Sequence, residues 1–135
     1  MADVSITAAN FVPSANATLI QGIAGGTLTR GMPLYYDSAA GTYKQFDASN
    51  SSKYEFAGLA CEDVAAGQPL FVCTKDPALT LGGTVSVGDT IWGSATGVTK
   101  TIGDLTTGWR IWVLAVCTAA SNVVNFNPVR GGVKP

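Results

Sequence analysis

Four segments of the chain repeat one pattern of glycine, aliphatic and aromatic residues. A Leu or Val lies three residues before a Gly, a Leu or Ile lies three residues after it, and an aromatic residue follows directly. The four copies are 28–35 (LTRGMPLY), 64–71 (VAAGQPLF), 85–92 (VSVGDTIW) and 105–112 (LTTGWRIW). Glycine adopts a positive φ at little cost, as several tight turns require. Each copy therefore predicts a turn, then a strand that buries its aliphatic residue and turns its aromatic residue to the other face.

The spacing of the copies bears on their origin. They begin at residues 28, 64, 85 and 105, so the intervals are unequal. A solenoid repeats at a fixed period, which these intervals do not follow. Two interpretations remain, namely recurrent turn chemistry within one β domain and an internal duplication.

The last copy opens the most apolar stretch of the chain, residues 105–117 (LTTGWRIWVLAVC). Side chains alternate along a strand, so Ile111, Val113 and Ala115 are expected on one face, and Trp112 and Leu114 on the other. Both faces are then apolar. Such a strand is covered on both sides, either in the middle of a barrel or sandwich or because its outer face meets another subunit.

The rest of the chain predicts further short strands between Gly, Pro and Asn turns. We expect an all-β fold, a small single-domain β-barrel or sandwich of short antiparallel strands with at most one short helix. The cap-type residues of 47–52 fit either a helical turn or a surface loop. The predicted organisation is an N-terminal arm or first strand (1–16), a β domain (17–127) and a C-terminal tail (128–135).

Charge is scarce. The 135 residues include 8 basic and 9 acidic side chains, 13% of the chain, while 47% of residues are hydrophobic. Ordinary proteins carry about 25% charged residues, so this composition predicts a surface that is buried against partners. No basic stripe or membrane-length apolar segment occurs, so we expect neither direct nucleic-acid binding nor membrane insertion. The N-terminus lacks a secretory signal pattern, which predicts synthesis in the cytoplasm.

The sequence offers little catalytic chemistry. It contains no His, which removes the commonest general base and zinc ligand. Most carboxylates stand at predicted turns, so we expect no enzyme activity, no cofactor, no catalytic residues and no metal site. Cys61, Cys73 and Cys117 lie in apolar runs without a metal-binding spacing, which predicts reduced, buried thiols.

A group of aromatic residues between positions 35 and 56 allows another function. These residues could line a sugar-binding face, or they could pack in a core or an interface. They are Tyr35, Tyr36, Tyr43, Phe46, Tyr54 and Phe56. The alternative function is therefore a carbohydrate- or receptor-binding module.

Long segments of the chain resemble the capsid decoration, or cement, proteins of tailed bacteriophages. The resemblance lies in MADVSITAANFVPS, TLTRGMPLYYDSAAGTYKQFDAS, FAGLACEDVAAGQPLFV, VSVGDTIW and LTTGWRIWVLAVCTAASNVVNFN, and it covers residues 2–127. It implies a compact β-barrel on the outside of a phage head, often a trimer or dimer, that adds after the head has expanded. It transfers no specific functional residue. In the alternative function, the carbohydrate- or receptor-binding module would belong to a virion fibre.

The resemblance and the composition together predict a structural accessory protein on the outer surface of a virus head. Its partners would be the major capsid protein, whose subunits it bridges, and further copies of itself as a homotrimer or homodimer. We expect the N-terminal arm to add as an extended strand to a capsid edge. The expected contacts are Val4, Ile6, Phe11 and Val12 for the capsid, and Trp92 and Trp112, as outward aromatics, for the oligomer interface.

Overall fold

The structure is a computed structural model that describes residues 3–95 and 97–135. Within these residues the chain forms ten strands and two single-turn 3₁₀ helices, Ala8–Asn10 and Ile102–Asp104. The strands are β1 (Asp3–Val4), β2 (Thr18–Ile23), β3 (Pro33–Asp37), β4 (Thr42–Gln45), β5 (Phe56–Ala60), β6 (Pro69–Thr80), β7 (Thr90–Gly93), β8 (Val98–Thr99), β9 (Arg110–Ala120) and β10 (Val123–Val133). The predicted all-β class is confirmed.

All ten strands belong to one curled antiparallel sheet. Its order is β1-β8-β7-β9-β10-β6-β5-β3-β4, and β2 pairs with β6 beside this path. The sheet curls because the chain just after β2 reaches the far strand β4, where the Gly25 N–H donates to the Tyr43 carbonyl at 2.8 Å. The result is a half-barrel, as expected of a small β domain.

The four glycine turns have the predicted conformation. In each copy the N–H that follows the Gly donates to the carbonyl three residues earlier, at 3.0–3.2 Å. The Gly has a positive φ in every copy: +87° at Gly31, +85° at Gly67, +100° at Gly88 and +92° at Gly108. The repeated pattern therefore reports one type of turn, used four times.

The strands that follow these turns keep the predicted orientation in three copies. Leu34, Leu70 and Ile91 are buried. In the fourth copy the orientation is reversed. Ile111 is only half-buried, and Trp112 packs against the core instead.

A β-bulge in β9 breaks the alternation predicted for residues 109–117. Trp92 of β7 pairs with Val113, whereas the preceding Ile91 pairs with Ala115, so Leu114 is an extra residue on β9. A bulge lets two successive side chains turn to one side. Leu114 and Ala115 are both buried. Val113 therefore lies on the opposite face from Ala115, contrary to the strict alternation expected.

Two hydrophobic clusters fill the curled sheet. In the larger one, Phe56 packs against Phe46, Trp112 and Phe126, with ring centroids 5.7–5.9 Å apart. The smaller cluster lies within the curl of β2 to β6 and consists of Ala24, Leu28, Leu34, Ala60, Leu70 and Val72. Tilted and edge-on ring pairs such as those around Phe56 stabilise a core beyond their buried area.

The C-terminal residues do not form a tail. β10 continues to Val133 and pairs with β9, with Val129 opposite Val113 and Arg130 opposite Trp112. The Lys134 N–H then donates to the Trp109 carbonyl at 2.8 Å. The tail predicted at 128–135 is therefore wrong for residues 128–133, because a strand is held by ladder hydrogen bonds even where its own side chains bury little.

Residues 47–52 form a loop, which was one of the two predicted alternatives. The Ser49 N–H donates to the Asp47 carboxylate at 2.9 Å, and the Ser52 N–H donates to the Asn50 side chain at 3.0 Å. Such side-chain turns compete with helix formation.

The buried carboxylate of Asp76 links the N-terminal segment to β6 by hydrogen bonds. Asp76 is fully buried and accepts the Ser14 N–H at 2.6 Å, the Ser14 hydroxyl and the Ala78 N–H at 3.0 Å. All three partners are donors, so the site requires a group that only accepts hydrogen bonds.

The turn geometry predicts the effect of Gly108→Ala. A Cβ at Gly108 meets no atom within 4 Å, so the substitution changes only the backbone energy at φ +92°. We expect a loss of about 1–2 kcal/mol in the free energy of unfolding, because Ala adopts positive φ at a cost. Gly26→Ala is the control, since it is equally uncrowded and has no positive φ. Equal urea midpoints for the two variants would contradict the turn assignment.

The donor arrangement around Asp76 predicts the effect of Asp76→Asn. The amide NH₂ of Asn would face a donor in a buried site, so we expect the free energy of unfolding to fall by about 1–3 kcal/mol. Asp63→Asn makes the same chemical change at an exposed carboxylate that accepts the Arg30 N–H at 2.8 Å. Urea unfolding followed by Trp fluorescence compares the two. If they unfold alike, Asp76 does not fasten the N-terminal segment.

Candidate interaction surfaces

The four N-terminal residues predicted to contact a capsid have different environments. Val4 and Phe11 are buried in the larger core cluster, and Ile6 packs against it. Val12 is 48% exposed, while its backbone exchanges two hydrogen bonds with Thr80 at 2.9 and 3.1 Å. The segment is therefore built into the domain, and Val12 is the member of this set whose side chain faces solvent.

The two predicted interface tryptophans lie on opposite faces of the sheet. Trp112 points inward and donates its indole N–H to the Tyr54 carbonyl at 2.9 Å. The expectation that it points outward is wrong, because the fourth copy of the repeat has the reversed orientation. Trp92 is half-buried and pairs with the outward-facing Val113.

The aromatic residues between positions 35 and 56 do not form one surface. Phe46 and Phe56 belong to the core. Tyr36 is exposed and packs against the half-buried Tyr43, with ring centroids 5.0 Å apart. The Tyr54 ring stacks against the Arg110 guanidinium, whose Cζ lies 4.6 Å from the ring centroid. Tyr36 and Tyr43 form a ring pair that is open to solvent on the Tyr36 side, and Tyr35 is half-buried.

A row of apolar side chains crosses three strands on the outside of the sheet. Trp92 pairs with Val113, and Val113 pairs with Val129, so the three lie side by side on one face. Ile111 lies two residues before Val113 and faces the same side. The neighbouring residue on β10 is Gly131, which has no side chain to cover Ile111. We call Trp92, Ile111, Val113 and Val129 the outer face. Its first three residues are half-buried and Val129 is 56% exposed.

Strand β2 carries further exposed apolar side chains, which the sequence interpretation missed. Leu19, Ile20 and Ile23 are all exposed, and Phe71 of β6 is exposed beside them. Phe71 pairs with Gln21, so it shares a face with that residue. The sequence did contain a signal, because residues 4–29 include no Asp, Glu, Lys or Arg.

The charged groups form local pairs at the surface. Arg130 donates to Glu55 at 2.8 Å, and this hydrogen bond raises the pKa of the guanidinium. Lys44 donates to Asp37 at 2.7 Å, which lowers the pKa of the Asp37 carboxyl. Exposed pairs of this kind contribute little to stability. Neither pair lies within the outer face.

Two of the three cysteines are buried, as their apolar surroundings predict. Cys73 and Cys117 are buried, and Cys61 is half-buried. Burial raises the pKa of the Cys61 thiol to about 11 and that of the Cys73 thiol to about 12. Both therefore stay protonated near neutral pH, and a thiol is a far weaker nucleophile than a thiolate.

The described residues contain neither a metal-ligand group nor a membrane-length helix. No group of three or more His, Cys, Asp or Glu side chains there is placed to hold a metal ion. In residues 3–95 and 97–135, no helix has the length and apolar character needed to cross a bilayer.

No protein-family model, curated protein or solved structure matches the chain.

The placement of the N-terminal residues predicts that two neighbouring substitutions change the stability by very different amounts. Phe11→Ala should lower the free energy of unfolding by about 3–5 kcal/mol, because it removes a buried ring. Val12→Ala should change it by less than about 0.5 kcal/mol, because the side chain is exposed and the backbone pairing is kept. Urea unfolding measures both. A Phe11→Ala protein as stable as the unaltered chain would show that the segment is not part of the core.

Proposed function

We propose that this protein is a structural accessory protein of a virus head, which binds the outer surface of the expanded capsid and bridges major capsid protein subunits. The sequence resemblance to bacteriophage decoration proteins supports this proposal. The structural observation that carries it is that β9 is apolar on both faces while the chain's own core buries only the inner one. Trp112, Leu114 and Cys117 pack inward, whereas Ile111 and Val113 stay half-exposed.

The outer face has the form expected of a docking surface. Its row from Trp92 to Val129 spans three adjacent strands, which lie about 4.8 Å apart, so it presents a shallow apolar strip about 10 Å wide. Burial of such a strip against a partner contributes roughly 25 cal/mol of favourable free energy per Å² of apolar surface removed from water. A shallow strip of this kind suits the surface of another folded protein.

Attachment would stabilise the head through mass action. A protein that binds only the expanded lattice contributes RT ln(1 + [L]/Kd) per site, about 2.7 kcal/mol at a hundredfold excess over Kd. A capsid repeats the same site many times, so modest contributions add up over the whole shell. Bridging of neighbouring subunits requires a second contact, for which Val12 at the N-terminal segment is the candidate.

Two valines with matched exposure allow a direct test. Val129 on the outer face is 56% exposed, and Val87 in the third glycine turn is 57% exposed. Val129→Asp should weaken co-sedimentation with expanded heads at least tenfold, because the carboxylate would lose its water on docking. Val87→Asp should bind as the unaltered protein does. Thermal unfolding of both variants shows whether the fold is intact.

The same assay decides the proposal itself. Binding to expanded heads and not to unexpanded ones is the expected result. Absence of binding to either form would overturn the proposal, and equal binding to both would overturn the preference for the expanded state. A saturable change of Tyr and Trp fluorescence with a polysaccharide would favour the carbohydrate-binding alternative, whose support is the exposed pair of Tyr36 and Tyr43.

A further inference from the structure

A cavity of about 320 Å³ lies between the N-terminal segment, the first glycine turn and the start of β8. Much of its wall is apolar and is formed by Val4, Ile6, Met32, Pro33 and Val98. Ser5 and Thr29 also line the cavity and are exposed, so it opens to solvent. Sites for small ligands have volumes of roughly 300–1,000 Å³ and combine apolar walls with a few polar groups. This cavity has the size and character of a small ligand site.

The polar group that distinguishes the cavity is the guanidinium of Arg30. Among the described residues that line the cavity, Arg30 is the charged one. It is half-buried, and its buried Nε has no hydrogen-bond acceptor in the described part of the chain. The ion pairs of residues 3–95 and 97–135 do not include Arg30 either. A buried donor without an acceptor is costly, and more so when it is charged. Arg30 thus lines the cavity with a donor for which the described chain supplies no acceptor.

The carboxylate of Asp63 has a different role. It accepts the backbone N–H of Arg30 at 2.8 Å, and Asp63 itself is exposed. This hydrogen bond holds the Arg30 backbone in the turn. The side chain of Arg30 remains free to bind a ligand.

The charge and the walls of the cavity indicate the class of ligand. A guanidinium binds carboxylates and phosphates through two parallel hydrogen bonds. One Arg balances the single charge of a carboxylate, whereas a phosphate monoester carries about 1.5–2 negative charges. The apolar side chains of Ile6, Met32 and Val98 favour a ligand that also carries hydrocarbon.

We propose that this cavity binds an ionised carboxylate carried on a short aliphatic chain, with the carboxylate on the Arg30 guanidinium and the chain against the apolar wall. Two sources supply this chemistry, a free small molecule and a Glu side chain of another protein. Hexanoate represents the first source. An acetylated and amidated peptide with one Glu between two leucines represents the second.

Nuclear magnetic resonance of the full chain tests binding, because the Arg30 Nε–H gives its own side-chain signal. Titration with hexanoate is expected to shift this signal and the backbone N–H signals of Gly31 and Gly97, which also line the cavity, in a saturable manner. Hexanol has a similar chain without the charge and should bind at least about tenfold more weakly. Inorganic phosphate, which lacks the chain, should also bind at least about tenfold more weakly.

The outcomes of these titrations separate the sources. Saturation by hexanoate alone assigns the cavity to a free carboxylate, and saturation by the Glu peptide alone assigns it to a protein partner. If neither shifts the Arg30 Nε–H signal, the proposal is overturned. Hexanol or phosphate binding as tightly as hexanoate would also overturn it, because the ligand would then need only one of the two groups.

A pair of matched variants tests the role of Arg30. Arg30→Gln removes the charge and keeps the backbone N–H that Asp63 accepts, so it should weaken hexanoate binding at least about tenfold. Arg130→Gln makes the same change at an exposed Arg outside the cavity and should bind hexanoate as the unaltered protein does. Thermal unfolding shows whether both variants are folded. Equal affinity of both variants for hexanoate would rule out Arg30 as the carboxylate partner. The comparison of hexanoate with hexanol needs no variant, so it decides the proposal even if Arg30→Gln does not fold.

This inference does not rest on the proposed function. The residues that line the cavity are all outside the outer face. Head binding and carboxylate binding are therefore measured with separate variants, and failure of one leaves the other standing.

Discussion

The pairing of β6 with three other strands holds the two parts of the sheet together. Its first half pairs with β2 and β5, and its second half pairs with β10. Asp76 and Pro77 lie at the junction, where Pro supplies no N–H to a ladder. Asp76 pairs with Phe126 of β10, and its carboxylate also accepts hydrogen bonds from Ser14 and Ala78. Both hydrophobic clusters draw on β6, since Val72 belongs to the smaller cluster and the next residue, Cys73, to the larger one.

A sheet built in this way leaves apolar surface that one chain of this size does not cover. The outer face lies on β7, β9 and β10, whereas the exposed side chains of β2 lie beside the first half of β6.

The bulge in β9 explains why the outer face has its particular members. Strict alternation would have set Ile111 and Val113 on the same side as Ala115 and Cys117. The extra residue Leu114 shifts the phase, so the first pair faces outward and the second pair inward. The same phase places Trp112 in the core, which removes it from any interface. A single inserted residue thus decides which aromatic residue is available to a partner.

The sequence by itself determined the all-β class, the four glycine turns and the burial of the aliphatic residue in three of the strands that follow them. These features are local, since a positive φ and a two-residue alternation are properties of neighbouring residues. Only the tertiary structure decided the strand order, the bulge, the length of β10, the burial of Phe11 and the exposure of β2. Those features depend on which distant strands pair, and residues such as Val12 and Val129 look the same in sequence whether a neighbour covers them or not.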